Sequence, residues 1–209
     1  MWLAYVEYHL RPLPGFTLLQ PALESLALRE WRRTRRPPPP RTIKAAMIRD
    51  GASDTRRVFV ETGTFFGDML AAVRDDFERL YSIELSTRLA AHARRRFARD
   101  PRISLLQGDS GTLLGPTVRS VAAPAVLWLD GHYSGWLTAR GDTDTPLGLE
   151  VAAALEAGTP DDLMLVDDAR LLDSDAAYPK RAELEEMIRR RRPDWSVTLE
   201  NDVLRAGRA

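Results

Sequence analysis

With 209 residues, 44% of them hydrophobic, and 30 Lys and Arg against 30 Asp and Glu, the chain is long enough to bury one sizeable core and carries no net charge. That balance gives no electrostatic reason for a polyanionic partner, and no apolar run reaches the ~20 residues of a membrane-spanning helix. With no cysteine there is no disulfide, no thiolate catalyst and no cysteine-ligated zinc.

Residues 1–40 differ from the rest. Trp2, Tyr5, Tyr8 and Phe16 are followed by leucines from Leu18 to Leu28, a basic run from Arg29 to Arg36, and Pro37 to Pro40. The prolines suit a stiff, extended linker. The leucines suit an amphipathic helix able to pack on the domain that follows, cover its ligand or make a dimer contact. The start is apolar but lacks a basic leader and a continuous apolar core, so no secretion signal is expected and the cytoplasm is the default location. The division expected is therefore an N-terminal helical, basic appendage with its proline linker over 1–40 and one domain over 41–209.

From residue 58 onward strand and helix patterns alternate, as an open α/β sheet requires. Val58-Phe59-Val60 runs into Glu61, then breaks into the turn Thr62-Gly63-Thr64-Phe65-Phe66-Gly67. A helical pattern over 68–79 leads to a second apolar run over 80–84, which ends in Glu84, and another helix follows over 87–99. The run over 103–107 leads into Gly108-Asp109-Ser110, that over 125–129 into Asp130-Gly131-His132, and that over 162–166 into Asp167-Asp168. One acid at a strand end is ordinarily a solvated loop residue or a helix cap. Five polar or acidic endings at the same end of a sheet mark a ligand crevice.

Gly63 and Gly67 permit positive φ and a close backbone approach to a ligand. Their spacing is not the dinucleotide fingerprint, and an acid beside the turn would repel a pyrophosphate. A cationic or neutral nucleoside ligand fits better than the dinucleotide of an oxidoreductase. Residues 133–146 break both periodicities and read as a long loop, in which Tyr133 and Trp136 offer a lid with an apolar face. Asp142 and Asp144 lack the companion ligands of a calcium loop. A helix over 179–192 and two short strands around Glu200-Asn201-Asp202 close the chain.

On these residues the chain resembles the class I S-adenosylmethionine-dependent methyltransferases over roughly residues 56–206. Its Glu61-Thr62-Gly63-Thr64, Asp130-Gly131-His132-Tyr133-Ser134-Gly135 and Asp167-Asp168-Ala169-Arg170 segments look like a bacterial subgroup of small methyltransferases. The resemblance implies a Rossmann-like, doubly wound and mostly parallel sheet with a C-terminal antiparallel hairpin. It also implies S-adenosylmethionine as cofactor, with Glu61, Thr62, Gly63 and Gly67 around its methionine part, Glu84 on the ribose hydroxyls, Asp109 at adenine and Asp130 near the methyl donor. Similarity to catechol-type and macrolide-sugar O-methyltransferases further implies magnesium held by Asp130, Asp167 and Asp168, hard oxygen ligands that suit such an ion. His132 would accept the proton of the substrate hydroxyl, with Asp130 beside it.

The function expected is methyl transfer to a hydroxyl of a small molecule, such as a sugar or natural product, in a protein able to form a homo-oligomer through its N-terminal segment. The competing expectation is a non-catalytic S-adenosylmethionine-binding sensor or assembly protein. Retention of Asp130, His132 and Asp167-Asp168 favours the enzyme, because cofactor binding alone needs no such cluster.

Overall fold

The computed structural model describes residues 16–131 and 145–208. Helices α1 (Phe16–Thr34) and α2 (Arg41–Gly51) precede β1 (Val58–Thr62). Next come α3 (Asp68–Val73), β2 (Arg79–Glu84), α4 (Thr87–Arg96), β3 (Ile103–Gln107), α5 (Ser110–Val121) and β4 (Ala125–Leu129). The last part holds α6 (Leu147–Ala157), β5 (Leu163–Val166), α7 (Arg181–Arg191), β6 (Ser196–Glu200) and β7 (Val203–Gly207).

The strands form one sheet in the order β3-β2-β1-β4-β5-β7-β6. Strands β1 to β5 pair in parallel, while β7 runs antiparallel to both β5 and β6. This is the open α/β sheet that the alternation predicts, in the mostly parallel, doubly wound form with a closing hairpin that the resemblance implies. The strand order reverses between β1 and β4, and the crevice outside their carboxyl ends is where such sheets take ligands.

Central parallel strands are covered on both faces, which is why β1, β4 and β5 read as continuous apolar runs. Alternation then sorts their side chains. Val58, Val60, Leu127, Leu129, Met164 and Val166 meet Leu114, Val118, Val151, Leu155, Leu184 and Ile188 of α5, α6 and α7. Phe59, Val126, Trp128, Leu163 and Leu165 meet Ala45, Ile48, Leu70, Val73 and Ala93 of α2, α3 and α4. The core is therefore two helical layers on one sheet.

Sequence periodicity overran several ends. The helix expected over 68–79 stops at Val73 and gives way to a 3-10 turn over Arg74–Asp76. Phe77 must then enter the core against Phe59, ring centroids 5.3 Å apart, before Arg79 pairs with Val58. The helix expected over 87–99 ends at Arg96, and the one over 179–192 spans Arg181–Arg191. Helix α2 had no counterpart in the sequence reading, yet it packs beneath β4 and β5.

The N-terminal leucines do form a helix, α1. It is joined to α2 by the Glu24–Arg41 ion pair, and its Trp31 is buried with the Arg35 guanidinium 4.3 Å from the ring centre. Leu19, Leu23 and Leu26 remain exposed. Among the described residues no helix is long and apolar enough to cross a membrane.

Candidate functional site

The turn after β1 is built by close backbone packing. Gly63 has φ +80°, donates its N–H to the Ile83 carbonyl (2.9 Å), and lies so near β4 that a Cβ would collide with the Asp130 carbonyl oxygen. Any side chain here would separate β1 from β4 at the crevice. Gly67 (φ +78°) closes the turn by donating to the Thr64 carbonyl (2.8 Å) and starts the short helix α3. Thr62 is fully buried, and its hydroxyl accepts the Asp130 N–H at 3.1 Å, a second tie between the two strand ends.

Glu61 lies beneath this turn. Ser82 donates to it at 2.6 Å and is itself 2.5 Å from the Thr64 hydroxyl, so a chain of hydroxyls links the carboxyl to the turn. Burial pushes Glu61 up to about 8, opposed by the Ser82 hydrogen bond and reinforced by Asp130 and Glu84. Glu61 thus braces the turn from a buried place that disfavours its charged form.

Glu84 ends β2 beside Gly63. Its two oxygens accept the N–H groups of Phe65 (2.8 Å) and Ser86 (2.9 Å). Phe65 is a non-glycine residue at φ 51°, and the carboxylate secures that costly conformation. Burial raises the Glu84 pKa, partly offset by those amides. A carboxylate has about four lone-pair positions, so two amide bonds still leave acceptors for a diol. Asp109 caps α5, its Oδ1 accepting the Gly111 N–H at 2.9 Å, so the cap role open to any such acid is realised.

Asp130 and Asp167 become neighbours through register. Leu129 pairs with Val166, and the Asp167 N–H donates to the Leu129 carbonyl at 3.0 Å. By alternation both acids follow residues that face α5, α6 and α7, so both point toward the α2 side. There the Lys44 ammonium of α2 meets Asp167 and its neighbour Asp168. Its Nζ is 2.5 Å from Asp167 Oδ2 and 3.5 Å from Asp168 Oδ1. Asp167 Oδ1 accepts the Asp168 N–H at 2.7 Å, and Asp168 Oδ1 accepts from Arg170 Nη1 at 2.8 Å. Asp168 takes a left-handed conformation (φ 52°), which a short polar residue tolerates.

Burial alone would lower the Lys44 pKa, yet Asp167, Asp130 and Asp168 together hold it above the ordinary lysine value. Burial raises Asp167, as do Asp130 and Asp168, against the pull of Lys44. The carboxylates thus outweigh burial at Lys44, whereas burial leads the rise at Asp167. Tyr178 faces the same group, its hydroxyl raised by burial and by Asp168 and Asp130.

The magnesium expected at Asp130, Asp167 and Asp168 meets an obstacle in this geometry. Among the described residues no three His, Cys, Asp or Glu side chains are placed to hold a metal ion. The Asp167 oxygens already accept from Lys44 and from an amide, and Asp168 is held by Arg170. His132, the expected base, lies outside the described residues, as do Tyr133, Trp136, Asp142 and Asp144.

Two site residues escaped sequence reasoning. Lys44 is one of only two lysines among 30 basic residues, which in retrospect is a signal, since a compact ammonium fits where a guanidinium does not. The other is Glu150, an acid on the apolar stripe Leu147, Val151, Ala154 and Leu155 of α6. It is 0% exposed, and neither carboxylate oxygen completes a hydrogen bond. A Cβ on Gly131 would run into its Oε1, with the Ser110 and Thr62 hydroxyls at 3.0 and 3.1 Å from that same Cβ. Glu150 therefore lies under the ends of β1 and β4. Burial pushes it up to about 7, with the nearby Ser110 and Thr62 hydroxyls opposing and Asp130 and Asp109 adding to the rise.

No family model and no curated protein matches the chain. Solved structures do. The SAH-bound methyltransferase PaMTH1 of Podospora anserina is 15% identical with a TM-score of 0.54, over 86% of this chain and 85% of that one. The O-methyltransferase TomG of Streptomyces achromogenes, involved in tomaymycin synthesis and solved in complex with SAM, is 18% identical with a TM-score of 0.53, over 88% and 87%. The 23S rRNA methyltransferase ErmE is 19% identical with a TM-score of 0.52, over 80% and 68%. The chain has the Rossmann-like fold of class I S-adenosylmethionine-dependent methyltransferases.

Proposed function

We propose that this protein transfers a methyl group from S-adenosylmethionine to a hydroxyl of a small molecule. One observation carries the proposal: at the β1/β4 switch point Gly63 packs directly on the Asp130 backbone, while the Glu84 carboxylate is fixed by the Phe65 and Ser86 amides beside it. A glycine turn with a pre-oriented acid offers a diol acceptor next to a backbone cradle, and Asp130 adds negative charge that suits a cationic cofactor.

When bound, the cofactor supplies an electrophilic methyl on a sulfonium that departs as a neutral thioether. In this assignment Glu84 accepts the ribose hydroxyls, and Asp109 stands at the adenine end. Thr62, Gly63 and Gly67 shape the wall along the methionine part, with Glu61 bracing the turn below. Asp130 sits beside the reacting carbon. His132 takes the proton that the acceptor oxygen loses as its bond to the methyl carbon forms, a task suited to an imidazole near neutral pH. The protein's other work is to align acceptor and methyl and to exclude water.

Fold likeness does not choose the acceptor, since the similar structures include one named for a ribosomal RNA. The small-molecule assignment is supported by charge: acids cluster at the crevice, and the chain as a whole is neutral, an unfavourable surface for a polyanion. Metal assistance was the finer sequence expectation, but no step here runs through a metal, because Lys44 and Arg170 already occupy the acids it would need.

The test is calorimetry with S-adenosylmethionine, followed by a screen of hydroxylated metabolites for transfer of labelled methyl. Absence of cofactor binding refutes the proposal. Tight binding with no acceptor across a broad screen supports the sensor alternative instead.

A further inference from the structure

We propose that the Lys44 ammonium is the resident cation of the carboxylate cluster at the ends of β4 and β5, standing where a divalent metal would have to bind, so that the acceptor end of the site is metal-independent. The placement of this cluster beside the reacting centre rests on the methyltransferase assignment above; the exclusion of a metal by Lys44 does not.

The inference starts from parity and register. Alternation along β4 and β5 turns Asp130 and Asp167 to the same face, and the pairing of Leu129 with Val166 brings them side by side. Helix α2 covers that face through Ala45 and Ile48, and Lys44 stands beside Ala45 and one turn before Ile48. Its side chain is only 14% exposed and that of Asp167 only 3%. The contact joins residues 123 apart in the chain, so it is a product of the fold rather than of local sequence.

Donor chemistry then argues against a metal. Magnesium requires close, near-octahedral oxygen ligands at ~2.0–2.1 Å. Asp167 gives one oxygen to Lys44 (2.5 Å) and the other to the Asp168 N–H (2.7 Å). Asp168 gives Oδ1 to Arg170, which also pairs with Asp202. An added dication would sit against two positive groups and would have to evict at least one of them. A lysine is well suited to the place: a compact point charge with three donors divides itself among carboxylates. Held against Asp167 and Asp168, Lys44 serves here as a fixed cation. It is a positioning residue, one that orients Asp167 and Asp168 and limits the negative charge beside Asp130.

The experiment titrates Mg2+ and Mn2+ separately into the full-length protein, reading calorimetric binding and melting temperature, in wild type, Lys44→Ala and Lys44→Ala/Asp167→Asn. Wild type should show no saturable binding at millimolar metal and no change with a chelator. Lys44→Ala, with the ammonium gone and its volume open, should melt lower and gain saturable Mn2+ binding that restores the melting temperature. The double variant should lose that gain. A purely structural lysine would lower the melting temperature without creating a metal response. Saturable Mg2+ binding by wild type overturns the inference, as does folded Lys44→Ala that ignores Mn2+. If Lys44→Ala does not fold, the wild-type titration with Lys44→Met, which keeps the stem, decides: metal binding by wild type, or none of the expected loss of melting temperature in Lys44→Met, overturns it. S-adenosylmethionine binding measured on the same wild-type sample separates the two ideas, since its absence refutes the methyltransferase assignment and leaves the metal result standing.

Discussion

Replacing Glu150 by glutamine removes a buried ionisable group from beneath the ends of β1 and β4, and the consequence depends on pH in a defined direction. The carboxyl is fully buried, neither oxygen completes a hydrogen bond, and its pKa stands at about 7 against an ordinary 4.5. An acid whose pKa is raised by folding binds its proton more tightly in the native state, so stability falls as pH rises between the two values. The penalty is absent below the ordinary value and complete above about 7. The rise from 4.5 to about 7, at about 1.4 kcal/mol per pH unit, amounts to about 3–4 kcal/mol when complete. Glutamine keeps the shape, carries no charge, and offers N–H donors to the Thr62 and Ser110 oxygens. Glu150→Gln should therefore lie within about 1 kcal/mol of wild type at pH 5 and exceed it by about 3 kcal/mol at pH 8. Denaturant unfolding followed by tryptophan fluorescence at pH 5, 6, 7 and 8 measures this directly. Glu61 and Asp167 are raised as well, but both proteins carry them, so they cancel in the difference. Stability curves that run parallel across this range would refute the argument that burial disfavours the charged Glu150 carboxylate in the folded state.

Glu84→Ala should weaken S-adenosylmethionine binding by about 1.5–3 kcal/mol, the range for hydrogen bonds to a charged group, and unchanged affinity in a folded variant would contradict the ribose role. Gly63→Ala should cost at least about 1–2 kcal/mol for the left-handed backbone alone, and more for the collision with the Asp130 carbonyl, visible as a lower melting temperature together with lost cofactor binding. Once an acceptor is found, His132→Ala should reduce turnover by about 10²–10⁴-fold with cofactor affinity nearly unchanged; parallel loss of melting temperature and binding would identify a structural histidine instead.

Much of the frame was legible without coordinates. The runs over 103–107 and 125–129 coincide with β3 and β4, because an apolar β-rich stretch bounded by charged or glycine-containing turns has few other ways to bury itself. The acids ending β2, β4 and β5 were visible for the same reason: a parallel sheet ends in a polar turn at its ligand edge. Helix lengths were less legible, as at α3, where the charges of Arg74, Asp75 and Asp76 prolong the helical pattern although Phe77 must leave the helix to reach the core.

What the sequence determined by itself, then, was the order of elements and the residue types at their ends, since these follow from local periodicity and turn chemistry. Partnership was decided by the tertiary structure. Nothing local says that Lys44, on a helix before the first strand, will meet Asp167 after the fifth, or that Glu150 will lie beneath Gly131. Those contacts depend on strand order and register, which set the side of the sheet each acid faces, and on the long-range packing of α2 and α6 against opposite faces. Three acids in a row of strand ends read as a metal site; the fold placed an ammonium among them.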